Sequence, residues 1–485
     1  MSNAGTGSLR PVTAGPYRRG GAKPLTAQES QAVAQPKQPG SPAPATTSTP
    51  AADPALYANW RVNLLFIWFG VFVGLMGANF VFPFIPFFIK ELGVTDKGEI
   101  GWWTSLSASA TGLSLTLTAP IWGTMADRYG RKPMFVRALL GAGVLILIMG
   151  ATQAPWQFVA LRFLMGAFAG TMGAAAALVA STTPRERVGY ALGMLQTGQF
   201  MANTLGPFIG GLASAAFGIR NSFFFCGALY LAAVALAFVF VKESKASLGA
   251  GSPGHKPKGG SLAGNIRLVV SERQVVVMLG FLFFLWLSTQ FVRPVMPISI
   301  DDFASHLGDR DRVTLVVGGW SRSFDEKFGT GLVYGMIGLT STVAALSVAP
   351  LGQRIGYRRC VTAAAVLTGV LFIPVALAGT YTTFLLWMGA TGLFQGAMVP
   401  GTNALIAASV PDGKQGAAFG LAASMQSMAL LIGPLAGGAV NDAFGIQYVY
   451  LVMGTILVAT GVIGYGLIRE PELFTRSRAV RPAHG

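Results

Sequence analysis

Twelve stretches of mostly apolar residues run through the chain, at about 62–89, 101–121, 133–152, 156–180, 188–216, 222–241, 274–300, 331–351, 361–379, 382–409, 416–440 and 447–468. As a helix, a stretch of about 20 apolar residues crosses a hydrocarbon layer roughly 30 Å thick. Polar, glycine-bearing and proline-bearing connectors separate the stretches. The pattern predicts an all-α polytopic membrane protein with twelve transmembrane helices. The stretches divide into six over 59–241 and six over 273–468, joined by a basic Gly/Pro/Ser linker at 242–272. Residues 1–58 are rich in Pro, Ala, Gly, Ser and Thr with almost no large apolar side chains. Such a segment cannot bury enough surface to offset its ordering entropy, so a disordered tail is expected, with a second short tail at 469–485.

The two groups of six repeat one another. Gly189, Gly193, Gly206, Pro207, Gly210, Gly211, Phe217 and Gly218 recur 227 residues later as Gly416, Gly420, Gly433, Pro434, Gly437, Gly438, Phe444 and Gly445. Pro184/Pro411 and Gln199/Gln426 keep the same step, and Pro83 and Pro86 are echoed by Pro294 and Pro297. Duplicated hydrophobic halves with interrupted helices are a sequence signature of a transporter, and they imply two pseudo-symmetric six-helix bundles. The repeat offset grows from 211 at Pro83/Pro294 to 230 at Pro120/Pro350. The extra residues therefore fall in the loop at 301–330, which is expected to be a solvated cap.

A formal net charge of +16 would suggest a nucleic-acid partner in a soluble chain, but the distribution of charge argues otherwise. Of the 35 Lys and Arg, 26 lie on the side that holds both chain ends, 7 lie on the other, and Arg162 and Arg293 fall inside spans. The bias predicts cytoplasmic termini and contact with the lipid bilayer, not nucleic acid. Cys226 and Cys360 are too few for a disulfide framework or a metal cluster. His255, His306 and His484 all fall in predicted loops or tails. No catalytic constellation, metal site or cofactor is expected.

The connector after the second stretch carries Gly123, Asp127, Arg128, Gly130, Arg131 and Lys132. It resembles the signature loop of the major facilitator superfamily, and Pro120, Trp122, Met134 and Arg137 around it resemble that family's multidrug efflux branch of drug:proton antiporters. The resemblance covers about 60–470. It implies a conformational latch in which Asp127 faces the start of the eleventh span, where a helix N-terminus favours negative charge, while the bases brace neighbouring helix ends. In the second half Gln353 stands where Asp127 would repeat, so the latch is expected to be one-sided. The fourth-span pattern Leu161-Arg162, Gly166, Gly170 resembles a family motif whose arginine is implicated in proton coupling. Gly193, Ala202, Gly206, Pro207, Gly210 and Gly211 resemble the antiporter bend, with Ala202 in place of a usual glycine. The eleventh span repeats it residue for residue as Gly420, Ala429, Gly433, Pro434, Gly437 and Gly438.

Gln196, Gln199 and Asn203 share one helical face with Gly206 and Gly210. With Asn79, Gln290, Arg293, Gln395, Asn403 and Gln426 they are the candidate lining of a substrate cavity, alongside the aromatics Phe80, Phe82, Trp286 and Phe291. An interhelical hydrogen bond is the competing role for each polar group. Arg293 is set apart by the adjoining Pro294, and its pairing with Asp301 is not expected. None of the 19 acidic residues falls deep in a span. The proton carriers left are Asp127, Glu91, Glu99, Asp301, Asp302 or the substrate itself, and a cavity with two arginines disfavours strongly cationic compounds.

Together these features predict a transporter that works by alternating access, with small amphipathic substrates and protons as its partners, acting as a monomer in a bacterial inner membrane. Proton-coupled efflux is the leading reading. An importer or facilitator of the same fold and a non-transporting membrane sensor are the alternatives.

Overall fold

The computed structural model describes residues 59–184, 187–243, 272–306, 312–410 and 415–470; positions 119, 120, 123, 124, 126–128, 305, 306 and 415–417 are placed as helix only. The expected tails and most of the linker lie outside these residues. Span 1 runs over Trp60–Phe80, a 3-10 turn at Phe82–Phe84 and Ile85–Glu91. Spans 2 to 6 are Lys97–Tyr129, Arg131–Gly150, Pro155–Phe168 continued by Thr171–Thr182, Val188–Phe217 and Ile219–Phe240. Span 7 is Arg273–Val292 continued by Met296–His306. Spans 8 to 12 are Glu326–Ile355, Tyr357–Ala376, Tyr381–Ser409, Gln415–Phe444 and Ile446–Leu467. Ten are apolar and long enough to cross a membrane. Spans 2 and 10 are as long, but Ser, Thr and Gly dilute their hydropathy.

Buried apolar side chains form two cores, one drawn from Leu64 to Val241 and the other from Val275 to Ile468. Each belongs to one bundle of six. The bundles meet along two seams, span 2 against span 11 and span 5 against span 8. Spans 1 and 7 break at equivalent places, Phe82–Phe84 and Arg293–Val295, because Pro83, Pro86, Pro294 and Pro297 withdraw amide donors from the helical ladder. Glycines of spans 5 and 11 dock into these breaks. A Cβ on Gly210 would lie 2.1 Å from the Phe80 carbonyl oxygen, and one on Gly437 would lie 2.1 Å from the Phe291 carbonyl oxygen. Only a residue without a side chain allows that approach.

The loop expected as a solvated cap is partly ordered structure. Span 7 continues as helix to His306, so Asp301 and Asp302 are helical. Beyond it β1 (Arg312–Val317) pairs antiparallel with β2 (Trp320–Asp325). Gly318 and Gly319 turn the hairpin, both with positive φ (54° and 84°), as a tight two-residue turn requires. Val313 is buried, and the Val316 N–H donates to the Thr382 hydroxyl at 2.8 Å, tying the hairpin to span 10. Asp325 then caps span 8 by accepting from the Lys327 N–H. The end of the molecule bearing this hairpin is called the hairpin face below, and the end where span 1 starts is the basic face.

At the basic face a pair of carboxylates caps helices other than their own. Glu243, just beyond span 6, accepts from the Arg131 and Lys132 N–H groups at 2.8 and 3.0 Å. Glu470, just beyond span 12, accepts from the Tyr357 and Arg358 N–H groups at 2.9 and 3.0 Å. A carboxylate at a helix N-terminus satisfies orphan donors and favours the helix dipole.

Two predictions follow from these contacts. Gly210→Ala and Gly437→Ala should each lower the unfolding midpoint of the purified protein, since overpacking of this kind costs about 1–3 kcal/mol. Gly193→Ala and Gly420→Ala, with nothing within 4 Å of the added carbon, should leave it unchanged; equal losses at all four positions would contradict the close-approach account. Glu243→Ala and Glu470→Ala should each cost roughly 1 kcal/mol. The caps sit on different helices in different bundles, so the double variant should show the sum within about 0.5 kcal/mol, as thermal unfolding in detergent would read out.

Candidate functional site

Where the breaks of spans 1 and 7 face each other, a polar cluster bridges the two bundles. Asn79, in the last turn before the span 1 break, donates to the Leu75 carbonyl at 2.7 Å and to Asn203 Oδ1 at 3.0 Å. Its own Oδ1 accepts a short hydrogen bond from the Arg293 guanidinium, so a side chain of span 7 reaches across to span 1. The Arg293 carbonyl, left without a helical partner by the break, accepts from the Tyr334 hydroxyl of span 8 at 2.7 Å.

Phe82, inside the span 1 break, presents its ring to two cations. The Arg293 guanidinium carbon lies 4.1 Å from the ring centroid and that of Arg162 lies 5.0 Å away. Arg162 is 1% exposed, so it does not snorkel to an interface; among the described residues its Nη1 meets the Met165 sulfur, at 3.9 Å. Span 4 can bring Arg162 this close because Gly166 lets it press on span 2, where a Cβ would stand 2.3 Å from the Thr111 carbonyl oxygen. Among the described residues no carboxylate forms an ion pair with either guanidinium.

The other predicted positions separate into groups. Gln290 is buried beside Gly433 and its Oε1 has no hydrogen-bond partner. Gln196 and Asn203 are exposed, while Gln199, Gln395, Asn403 and Gln426 are half-buried. Phe80 and Phe291 are buried in the first and second cores respectively, and Trp286 packs against the second core. Gly206 lies against Met76 and Asn79, as Gly433 lies against Gln290. Gly211 and Gly438 instead pack between bundles, against Gly331 and Ser105 respectively. The bend motif thus performs the same packing in both halves.

Asp301 pairs with Lys90 at 2.6 Å and Asp302 with Lys97 at 2.5 Å, so two ionic ties join the bundles at the hairpin face. Sequence reasoning weighed Asp301 only against Arg293, on its own span, and did not consider these lysines. Along the span 5–span 8 seam the contacts descend from Gly211/Gly331 to the Thr204 and Thr342 hydroxyls, 3.3 Å apart. Nearer the basic face, Gly193 has open space around it.

At that face Gly130 turns the chain from span 2 into span 3. Arg131 donates to the Ala177 carbonyl of span 4 at 2.9 Å, and Lys132 to the Phe238 carbonyl of span 6 at 2.8 Å. Arg137 lies 3.3 Å over the Trp122 ring. Gly123, Asp127 and Arg128 occupy the final turns of span 2, and their surroundings, like the first residues of span 11, lie outside the described side chains. Glu243 and Glu470 were missed from the sequence, although Val241-Lys242-Glu243 and Ile468-Arg469-Glu470 stand 227 residues apart like the rest of the repeat.

Comparison with known proteins places this architecture. The family model for the Major Facilitator Superfamily matches residues 67–319 and 283–483. The multidrug resistance protein MdtG of Yersinia enterocolitica is 28% identical over 423 residues, covering 87% of this chain and 97% of that protein. MdtG of Salmonella typhimurium is 28% identical over 415 residues, covering 86% and 97%. Among solved structures, the nucleoside transporter NupG superposes with a TM-score of 0.66 at 11% identity, covering 83% of this chain and 98% of its own. The human organic anion transporter MFSD10 (TETRAN) gives 0.56 at 16% identity, covering 84% and 99%. At such identities the structural likeness speaks to fold alone. The chain is a membrane transporter in its architecture and belongs to the Major Facilitator Superfamily.

Proposed function

We propose that this protein exports small amphipathic compounds in exchange for protons, with no chemical step. The observation that carries the reading is similarity to multidrug resistance proteins across nearly the whole bundle region, 87% of the chain. The geometry supplies a means. Two halves held together at the hairpin face, with a polar cluster at their centre and open space beside Gly193, suit one state of an alternating-access cycle.

In this reading the basic face is cytoplasmic, the chain acts as a monomer in a bacterial inner membrane, and residues 59–241 and 273–468 rock as two bodies about the linker at 242–272. The structure then corresponds to the inward-facing state. Closing the basic face would bring Asp127 to the start of span 11, with Arg128, Arg131 and Lys132 bracing it, and would part the Lys90–Asp301 and Lys97–Asp302 ties. Proton uptake by Asp301, Asp302 or Asp127 shifts this balance, and Arg162 keeps the centre positively charged so that occupancy and protonation remain coupled. Gln196, Gln199, Asn203, Gln395, Asn403 and Gln426 line the route between the central cluster and the basic face.

Proteoliposomes with an imposed pH gradient test the reading directly. Accumulation of an amphipathic dye in inverted vesicles, driven by interior acidity, is expected for the wild type. Asp127→Asn should cut that flux at least tenfold while leaving the unfolding midpoint within a degree or two, and undiminished flux would remove the latch.

The ties make a separate prediction. The Lys97–Asp302 pair is exposed and the Lys90–Asp301 pair half-buried. Pairs near the surface contribute about 1 kcal/mol or less, so replacing Asp301 and Asp302 together by Asn should shift the two-state population several-fold without unfolding. Spin labels at Gln153 and Tyr448, one on each bundle at the hairpin face, should then report a second, longer distance. An unchanged distribution would show that the ties do not hold that face shut.

A further inference from the structure

We propose that a row of hydroxyls on span 2 biases the hairpin face toward opening, because the closed seam holds them dry and an open one returns them to water. The inference rests on the alternating-access reading, since it needs the seam between spans 2 and 11 to part. Among the described residues, every buried hydroxyl without a hydrogen-bond partner lies on this one span: Thr104, Ser105, Ser109 and Ser114, each at most 2% exposed. Buried hydroxyls on other spans close onto a carbonyl of their own helix, as Ser214, Ser288, Thr368 and Thr402 do at 2.7–3.0 Å. Ser107 and Thr111, on span 2 itself, do the same. A hydroxyl buried without a partner costs free energy that contact with water restores.

The four orphaned hydroxyls divide between two surfaces. A Cβ on Gly438 of span 11 would lie 2.4 Å from Ser105 Oγ, which leaves no room for a water between that hydroxyl and the helix. Ser109 follows one turn later, on the way to Gly112, where an added Cβ would lie 2.8 Å from the Leu430 carbonyl carbon. These two serines therefore face the other bundle. Thr104 shares a face with Thr111, which donates to the Arg162 carbonyl of span 4, and Ser114 lies against Gly166 of that same span. This second pair stays enclosed within the first bundle in either state. Only Ser105 and Ser109 change surroundings when the bundles separate. The Lys90–Asp301 and Lys97–Asp302 ties act on the same end of the molecule in the opposite sense. Attraction at the rim and unmet hydroxyls beneath it bring the two arrangements close in free energy, as a carrier needs if it is to visit both.

The test reads opening of the seam on the full chain in lipid nanodiscs, with no gradient and no flux. Asn441 of span 11 faces Gly101 across the seam. Asn441→Cys, combined with Cys226→Ala and Cys360→Ala, places a single thiol there, and its rate of alkylation by a polar maleimide reports how often the seam parts. Ser105→Ala with Ser109→Ala should slow alkylation about fivefold or more and raise the unfolding midpoint. Thr104→Val with Ser114→Ala should raise the midpoint too, yet leave the rate within about twofold, because those hydroxyls are buried in both states. An unchanged or faster rate in the seam pair would overturn the inference. So would equal slowing by both pairs, or a lowered midpoint in the seam pair, which would mean that its hydroxyls are bonded while the face is closed. No alkylation at all before the serines are changed would show that the seam does not part, and would overturn it as well. Slowed alkylation in a protein without proton-driven flux would sink the export reading alone. Proton-driven flux with an unchanged alkylation rate would sink only this one.

Discussion

The close approach of backbones at Gly210 and Gly437 governs the rest of the architecture. Spans 5 and 11 lie against the carbonyls of Phe80 and Phe291 at a distance no side chain would tolerate. Phe80 is the last helical residue before the break in span 1, and Phe291 the last but one before the break in span 7. The fit therefore fixes where each broken helix resumes. It also sets the position of Asn79, Phe82 and Arg293, which sit within a turn of the contacts. The same device operates in both halves, so the cluster at the centre is assembled from two copies of one joint.

Charge is arranged by depth. At the basic face it is spent on helix ends, with Glu243 and Glu470 answering amide groups and Arg131 and Lys132 answering carbonyls. At the hairpin face it joins the bundles through Lys90, Lys97, Asp301 and Asp302. In the centre the described residues offer two cations, an aromatic ring and amides, with no carboxylate paired to either cation. Removing charged groups from water is expensive, and ion pairs at the rim tolerate exposure better than unpaired charges in the middle. The unbalanced charge is thus concentrated where the two halves face each other.

The spans were legible because hydrocarbon thickness imposes a length on each helix, and their breaks were legible because proline lacks a donor. Asn79, Asn203, Arg162 and Arg293 were singled out as polar groups within apolar stretches, but their meeting was not foreseen. Periodicity along one helix says which residues share a face and nothing about which other helix that face meets. Lys90 and Asp301 show the limit well: 211 residues separate them, and each reads alone as an ordinary charge at a span end. The hairpin was obscured differently. Gly318-Gly319 is a turn signal, but the surrounding charges made the segment look like solvated loop. Glu243 and Glu470 were available through the repeat; they were passed over because they lie just outside the apolar stretches on which the comparison was built.

Small groups meet at several points along the seams, with Gly211 on Gly331, Gly438 on Ser105 and Thr204 beside Thr342, while the Phe208 ring of span 5 seats on Gly335 and Leu430 of span 11 on Gly112. Where backbone meets backbone or hydroxyl the surfaces do not interlock, so little dispersion energy is lost at those points as they separate. In the alternating-access cycle proposed above the halves would part and rejoin along this line, and low adhesion at those points would favour it. In such a cycle a modest preference of a bound guest for one arrangement would then redistribute the whole population.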